Sequence, residues 1–281
     1  MLELTGMGSV LRGLGVLYWL LAIGAVALAI WKGNGKRGKS IWAAVAIAAF
    51  GFLPVKAMIE QAQRDAYAKE AWAYFKKLCA EKSGEKIYKT FTGVKSVLVV
   101  KPLPPATEKD LYDQFWYGDP YSDATPWDKR GETAARRLTG DSRRPDGVVQ
   151  RGLDFVEIKN EFNNGYTKIN RAESFDKDTV REHIEKSTSR FGVTWEDISQ
   201  PEDRKYWVAG SRLRVIDLTD DSIVAERIGY LIEAGFGSTT GQQKPWLTAR
   251  GIGPNGRSCP DATDYSDQRF ISSVFKLDGG K

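Results

Sequence analysis

The segment of this chain closest to a chemical signature is Gly33-Asn34-Gly35-Lys36-Arg37-Gly38-Lys39-Ser40, which matches G-x-x-x-x-G-K-S letter for letter. That motif cradles phosphates only when a strand precedes it, a helix follows it and a sheet holds both. Here apolar runs of membrane-spanning character flank it on both sides, and no Walker-B aspartate can be placed beside it. No nucleotide is therefore expected. His183 is the single histidine, set in the charged stretch Arg181-Glu182-His183-Ile184-Glu185, and neither G-x-S-x-G nor H-E-x-x-H accompanies it. Two cysteines and one histidine are too few for a structural zinc site of the usual kind, so neither metal nor cofactor is expected. Carboxylate pairs capable of glycosidase chemistry exist by number alone among the 35 acids of residues 56–281, and no spacing singles one out. The chain reads as a non-enzyme.

Two clusters point to binding instead. Residues 110–128 interleave Tyr112, Phe115, Trp116, Tyr117, Tyr121 and Trp127 with Asp110, Asp113, Asp119, Asp123 and Asp128, and Gly118, Pro120 and Pro126 make the stretch a loop. Such side chains give large contact area with polar tips, which suits a protein or glycan partner. The structural alternative is a long loop pinned to the sheet by its own aromatics. The second cluster lies on a hairpin formed by residues 206–218 and 223–232 around Thr219-Asp220-Asp221-Ser222. Pairing Val215 with Glu226, Leu213 with Ile228 and Ser211 with Tyr230 leaves Arg212, Arg214 and Arg227 on one face, with Arg214 across from Arg227. Like charges so placed call for an anion between them. A one-residue slip would instead bring Glu226 onto that face.

The elements that carry these residues begin with a membrane part. Residues 13–31 are nineteen consecutive uncharged residues, apolar on every side, with Trp31 at the end. About 20 such residues cross a bilayer core. A second run, 40–55 with Pro54 near its end, reaches spanning length if it continues to 59 and Lys56 snorkels. Between the spans, loop 32–39 holds Lys32, Lys36, Arg37 and Lys39 and no acid. The positive-inside rule makes this a cytoplasmic, topogenic loop, with both flanks on the other side. A cleaved signal peptide is the competing reading, since Ala25-Val26-Ala27 is a small-x-small site, but no basic segment precedes the apolar run.

The formal charge of +5 suggests a nucleic-acid partner until it is divided. Residues 1–55 carry +4, and residues 56–281 carry only +1 from 36 Lys/Arg and 35 Asp/Glu, so no nucleic acid is expected. With 42% apolar and 27% charged residues the chain is neither disordered nor fibrous.

Residues 60–281 read as one soluble domain. Residues 60–81 hold no Gly or Pro and continue the second helix, with Ala68, Ala71, Phe75 and Leu78 on one face and Ser83-Gly84 as the stop. Strands are expected at 94–100, at 148–158, within 182–198 around Phe191, Val193 and Trp195, along the hairpin, and last at 270–277. The fold class is α+β: a two-helix transmembrane hairpin over 1–59, then a mainly antiparallel β domain with an N-terminal helix. Outside the cytoplasm, Cys79 and Cys259 would pair as a disulfide; the alternative is two buried thiols.

Within residues 206–234, Ala209-Gly210-Ser211, Val215-Ile216-Asp217-Leu218, Ala225-Glu226-Arg227 and Gly229-Tyr230, with Pro245-Trp246 and Cys259-Pro260 downstream, resemble a segment of uncharacterised membrane-anchored proteins of proteobacteria. The resemblance spans about a quarter of the chain and brings no activity or catalytic residue. It implies only a bacterial envelope setting; taken with the topology above, the anchor is expected in the inner membrane and residues 60–281 in the periplasm. The function expected is a binding or scaffold protein recognising an envelope or secretion component. The alternatives are an immunity protein against a periplasm-delivered toxin and an envelope glycan hydrolase using a carboxylate pair.

Overall fold

A computed structural model describes residues 5–33, 35–102, 106–116, 131–143, 149–160, 165–171, 180–250, 258–260 and 266–277. The chain divides into two compact units, Met1–Tyr67 and Ala68–Lys281.

The first unit holds α1 (Thr5–Lys32) and most of α2 (Gly35–Lys82). Both helices are long and apolar enough to cross a membrane. Their apolar side chains point outward: more than half of each of Leu17, Leu20, Leu21 and Ile23 is exposed. The tyrosine hydroxyl of Tyr18 donates to the Phe50 carbonyl, and the two rings meet edge to face. The link between the helices is shorter than the eight-residue loop expected. Lys36, Arg37 and Lys39 lie on the opening turns of α2, because residues 36–40 contain only one glycine and continue the helical pattern. Gly33 makes the tight link possible: a Cβ there would lie 2.8 Å from the Lys39 backbone.

The second unit is α+β. After the last turns of α2 come β1 (Gly84–Ile87), β2 (Ser96–Lys101), α3 (Glu132–Thr139), β3 (Ser142–Arg143), β4 (Val149–Gln150), β5 (Phe155–Lys159), β6 (Tyr166–Asn170) and β7 (Arg181–Ile184). Then follow β8 (Phe191–Asp197), α4 (Pro201–Lys205), β9 (Val208–Asp217), β10 (Ser222–Ile232), α5 (Pro245–Arg250), β11 (Ser258–Cys259) and α6 (Ser266–Phe275). Nine strands form one sheet in the order β1-β10-β9-β8-β2-β5-β6-β7, with β11 also on the outer edge of β10. Pairing is antiparallel except where β2 lies parallel to β8 and to β5. β3 and β4 pair separately.

One sheet face is the main core. Val97, Val99, Val156, Ile158, Val193, Trp195, Leu213 and Val215 meet Ala135 and Leu138 of α3 and Phe270, Ile271, Val274 and Phe275 of α6. The opposite face, at one end, receives Ala71, Phe75 and Leu78 of α2 against Val208, Tyr230 and Ile232. Of the amphipathic stripe read on residues 68–78, Ala71, Phe75 and Leu78 are therefore buried and Ala68 is half-buried. The strand expected at 270–277 is instead helix α6. Phe270, Ile271, Val274 and Phe275 recur at helical spacing, which covers a sheet face rather than joining its edge.

Cys79 and Cys259 form a disulfide, with Cα atoms 5.9 Å apart. β1 and β11 share the outer edge of β10, so the end of α2 and the chain before Pro260 arrive side by side.

Candidate functional site

The hairpin face was the strongest anion candidate in the sequence, and its register decides its chemistry. From the turn, Ser222 pairs with Asp217 and Ile223 with Ile216. A regular ladder continued from there would set Arg227 opposite Arg212. Instead Val224 is an extra residue, and its carbonyl accepts the backbone N–H groups of Tyr88 and Lys89 at 2.9 and 3.2 Å. Beyond this bulge every side chain exchanges faces. Arg214 now lies opposite Glu226, Arg212 opposite Ile228, and Arg227 opposite Leu213.

Arg227 thus leaves the predicted face. It is 2% exposed on the core side, where its guanidinium meets Glu85 and Asp267, each at 3.1 Å. Asp267 also accepts from the Trp195 indole at 3.0 Å. Arg212 and Arg214 stay together, but with two carboxylates between them. Arg214 reaches Glu226 at 3.0 Å and Glu196 at 3.4 Å, and Arg212 reaches the same two acids at 3.5 and 3.7 Å. The protein's own acids supply the anion that the three-arginine face called for. Glu196 on β8 and Glu226 on β10 are thus bridged by the two arginines of the strand between them.

The aromatic-acidic segment is described through Trp116. Tyr117, Tyr121 and Trp127, with Asp119, Asp123 and Asp128, lie outside the described residues. The described part is a short ordered arch. Asp110 accepts from the Thr107 N–H and hydroxyl, both at 2.7 Å, at the start of a 3-10 turn over Asp110–Tyr112. Leu111 is buried beneath it. The Trp246 indole donates to the Asp113 carbonyl at 2.7 Å, and the Gln114 amide donates to the Arg204 and Lys205 carbonyls, both at 2.9 Å. Lys244 pairs with Glu108 at 2.6 Å. So anchored, the arch leaves Tyr112 41% and Phe115 51% exposed, while Trp116 is half-buried.

The anchor is itself rigid. Trp246 is fully buried, its ring 5.3 Å from that of Trp207, with the Arg204 guanidinium 4.8 Å above it. Arg204 pairs with Asp197 at 2.7 Å. Trp207 holds φ 54 and Gly237 φ 78, and a Cβ on Gly237 would lie 2.4 Å from the Trp207 ring. Buried Glu233 accepts from the N–H groups of Gly235 and Gly237 at 2.9 and 2.7 Å. Backbone in such sparsely populated conformations persists only where its surroundings over-determine it.

Sequence reasoning missed a second carboxylate. Glu157, in the middle of β5, is fully buried. It accepts from the Ser187 hydroxyl, the Thr188 N–H and hydroxyl, and the Ser189 N–H; the Thr188 and Ser189 contacts run from 2.7 to 3.1 Å. Burial by itself would raise its pKa, but the Ser187 and Thr188 hydrogen bonds outweigh it and hold the carboxyl below the usual range. The signal available was a lone acid in the apolar run Phe155-Val156-Glu157-Ile158. His183 is exposed on β7, opposite Thr167. Among the described residues no group of three or more His, Cys, Asp and Glu could hold a metal ion.

No family model, no curated protein and no solved structure matches this chain.

Proposed function

We propose that this protein is a membrane-anchored binding protein, with its domain on the periplasmic side of a bacterial inner membrane, that recognises another envelope or secretion component. One observation carries the reading: Tyr112 and Phe115 are exposed on an arch that Trp246 and Gln114 hold by its backbone. Ordering an interface loop costs free energy on binding, and an arch already fixed avoids much of that cost. Large aromatics on a rigid platform are the side chains that dominate interface energetics. The compartment is supported by two further features. Four cations beside the helix–helix link favour retention of that link on the cytoplasmic side. A disulfide in the domain suits an oxidising compartment.

The test is site-specific photocrosslinking in cells, with a photoreactive phenylalanine analogue at position 115 or 112 of the full chain. The expected result is one recurrent adduct with an envelope protein, and in titrations of that partner the affinity should fall at least about thirtyfold when Tyr112 and Phe115 are both changed to Ala. No adduct from either position would overturn the reading.

A further inference from the structure

We infer that the groove between α1 and α2 is a binding site for an anionic phospholipid; this rests on the membrane-spanning reading of those helices. The groove has a volume of about 400 Å³ and lies wholly within the first unit. One wall is Ala25, Leu28 and Ala29 of α1, the other Trp42, Val45 and Ala46 of α2. It reaches Lys32 and Gly33 at the link between the helices. Small side chains on facing walls keep the helices from filling the space themselves. Its size falls within the roughly 300–1,000 Å³ of ligand pockets. Walls so apolar select an acyl chain.

The charge at its end selects the headgroup. Lys32, Lys36, Arg37 and Lys39 cluster at the link, and between Glu3 and Glu60 the sequence has no acid. No carboxylate of the two spans can neutralise these cations. Three of them also lie on the opening turns of α2, where the partial positive charge of the helix adds to theirs. The Gly33 link brings the Lys39 backbone against the end of α1, which concentrates the charge at the groove mouth. Trp42 lines that end, at the depth where interfacial aromatics sit. An anionic lipid satisfies both parts at once, as basic pockets at the cytoplasmic ends of helix pairs do. A free phosphate would leave the groove empty, and a zwitterionic lipid would leave the cations uncompensated.

The test is native mass spectrometry of the full chain in mild detergent, titrated with phosphatidylglycerol or phosphatidylcholine of matched acyl chains, with inorganic phosphate in parallel. Retention of phosphatidylglycerol over phosphatidylcholine is expected. Lys32→Gln should reduce that preference about fivefold, and Ala46→Trp should reduce retention of both lipids by filling the groove. Equal retention of the two lipids, a preference untouched by Lys32→Gln, retention untouched by Ala46→Trp, or a response to phosphate equal to that of phosphatidylglycerol would overturn the inference. So would a dimer that Ala46→Trp dissociates, since a second copy would then fill the groove. Alkaline extraction of membranes separates the two readings: a chain released into the aqueous fraction removes the spanning reading, whereas a retained chain without lipid preference removes this inference alone.

Discussion

Glu157 illustrates how much a single residue's role depends on partners far away in the chain. It reads in sequence as a misplaced acid in a strand, and its partners Ser187, Thr188 and Ser189 are thirty or more residues downstream. Its carboxyl pKa lies below the unfolded value of about 4.3. A group depressed on folding contributes stability that is complete above the unfolded pKa and is lost as pH falls through the folded one. Glu157→Gln keeps the shape but turns an amide donor toward those donors. It should cost about 2–3 kcal/mol at neutral pH, measured by denaturant unfolding of the full chain in detergent. The gap between variant and parent should narrow as pH falls below about 4.3. Acid sensitivity should not vanish in the variant, because hydrogen bonds from Arg190 and then Thr219 also hold the Asp217 carboxyl well below its usual range. At this scale the exposed aromatics Tyr112 and Phe115 were legible, since their type and density announced them. The platform of Trp246, Arg204 and Glu233 was not, because nothing local marks which buried polar groups will meet.

Among the elements, the hairpin of β9 and β10 was legible in position and extent, because two apolar runs flank an acidic turn. Its faces were not. One bulged residue, Val224, moves Arg227 from the Arg212 side to the core side. The bulge is held by Tyr88 and Lys89, which belong to a segment more than a hundred residues earlier. Arg227→Leu should leave the register in place and strand Glu85 and Asp267 without their shared cation. Breaking a buried ion pair of this kind costs about 3–5 kcal/mol. Unfolding midpoints and near-ultraviolet circular dichroism measure it, and an unchanged midpoint would show that the side the bulge gives Arg227 carries no stability. The C-terminal segment makes the same point about elements. Phe270 to Leu277 is apolar enough for a strand, but the spacing of Phe270, Ile271, Val274 and Phe275 serves a helix lying on the sheet.

The second unit is clasped where its opening helix meets the chain before Pro260. Cys79 and Cys259 are 180 residues apart in sequence, and closing so long a loop restricts the unfolded chain by about 5 kcal/mol in the loop-entropy model. Changing both cysteines to Ala should lower the unfolding midpoint accordingly. In intact cells, a membrane-impermeant maleimide should label the parent chain only after reduction. Labelling that requires lysis but no reductant would place free thiols in the cytoplasm and reverse the proposed orientation. What the sequence alone determined are the properties that local composition encodes. These are two apolar helices of spanning length, a cationic link between them, an α+β domain, an amphipathic stripe at 68–78, and two cysteines available to pair. Each depends on residues within a few turns or on a count over the chain. Tertiary structure alone decided which residues face one another: the Val224 register, the neutralisation of Arg212 and Arg214 by Glu196 and Glu226, the burial of Glu157, and the arch that presents Tyr112 and Phe115. Those outcomes depend on contacts between segments distant in sequence, where a shift of one residue in a ladder exchanges a whole face and no local pattern records it.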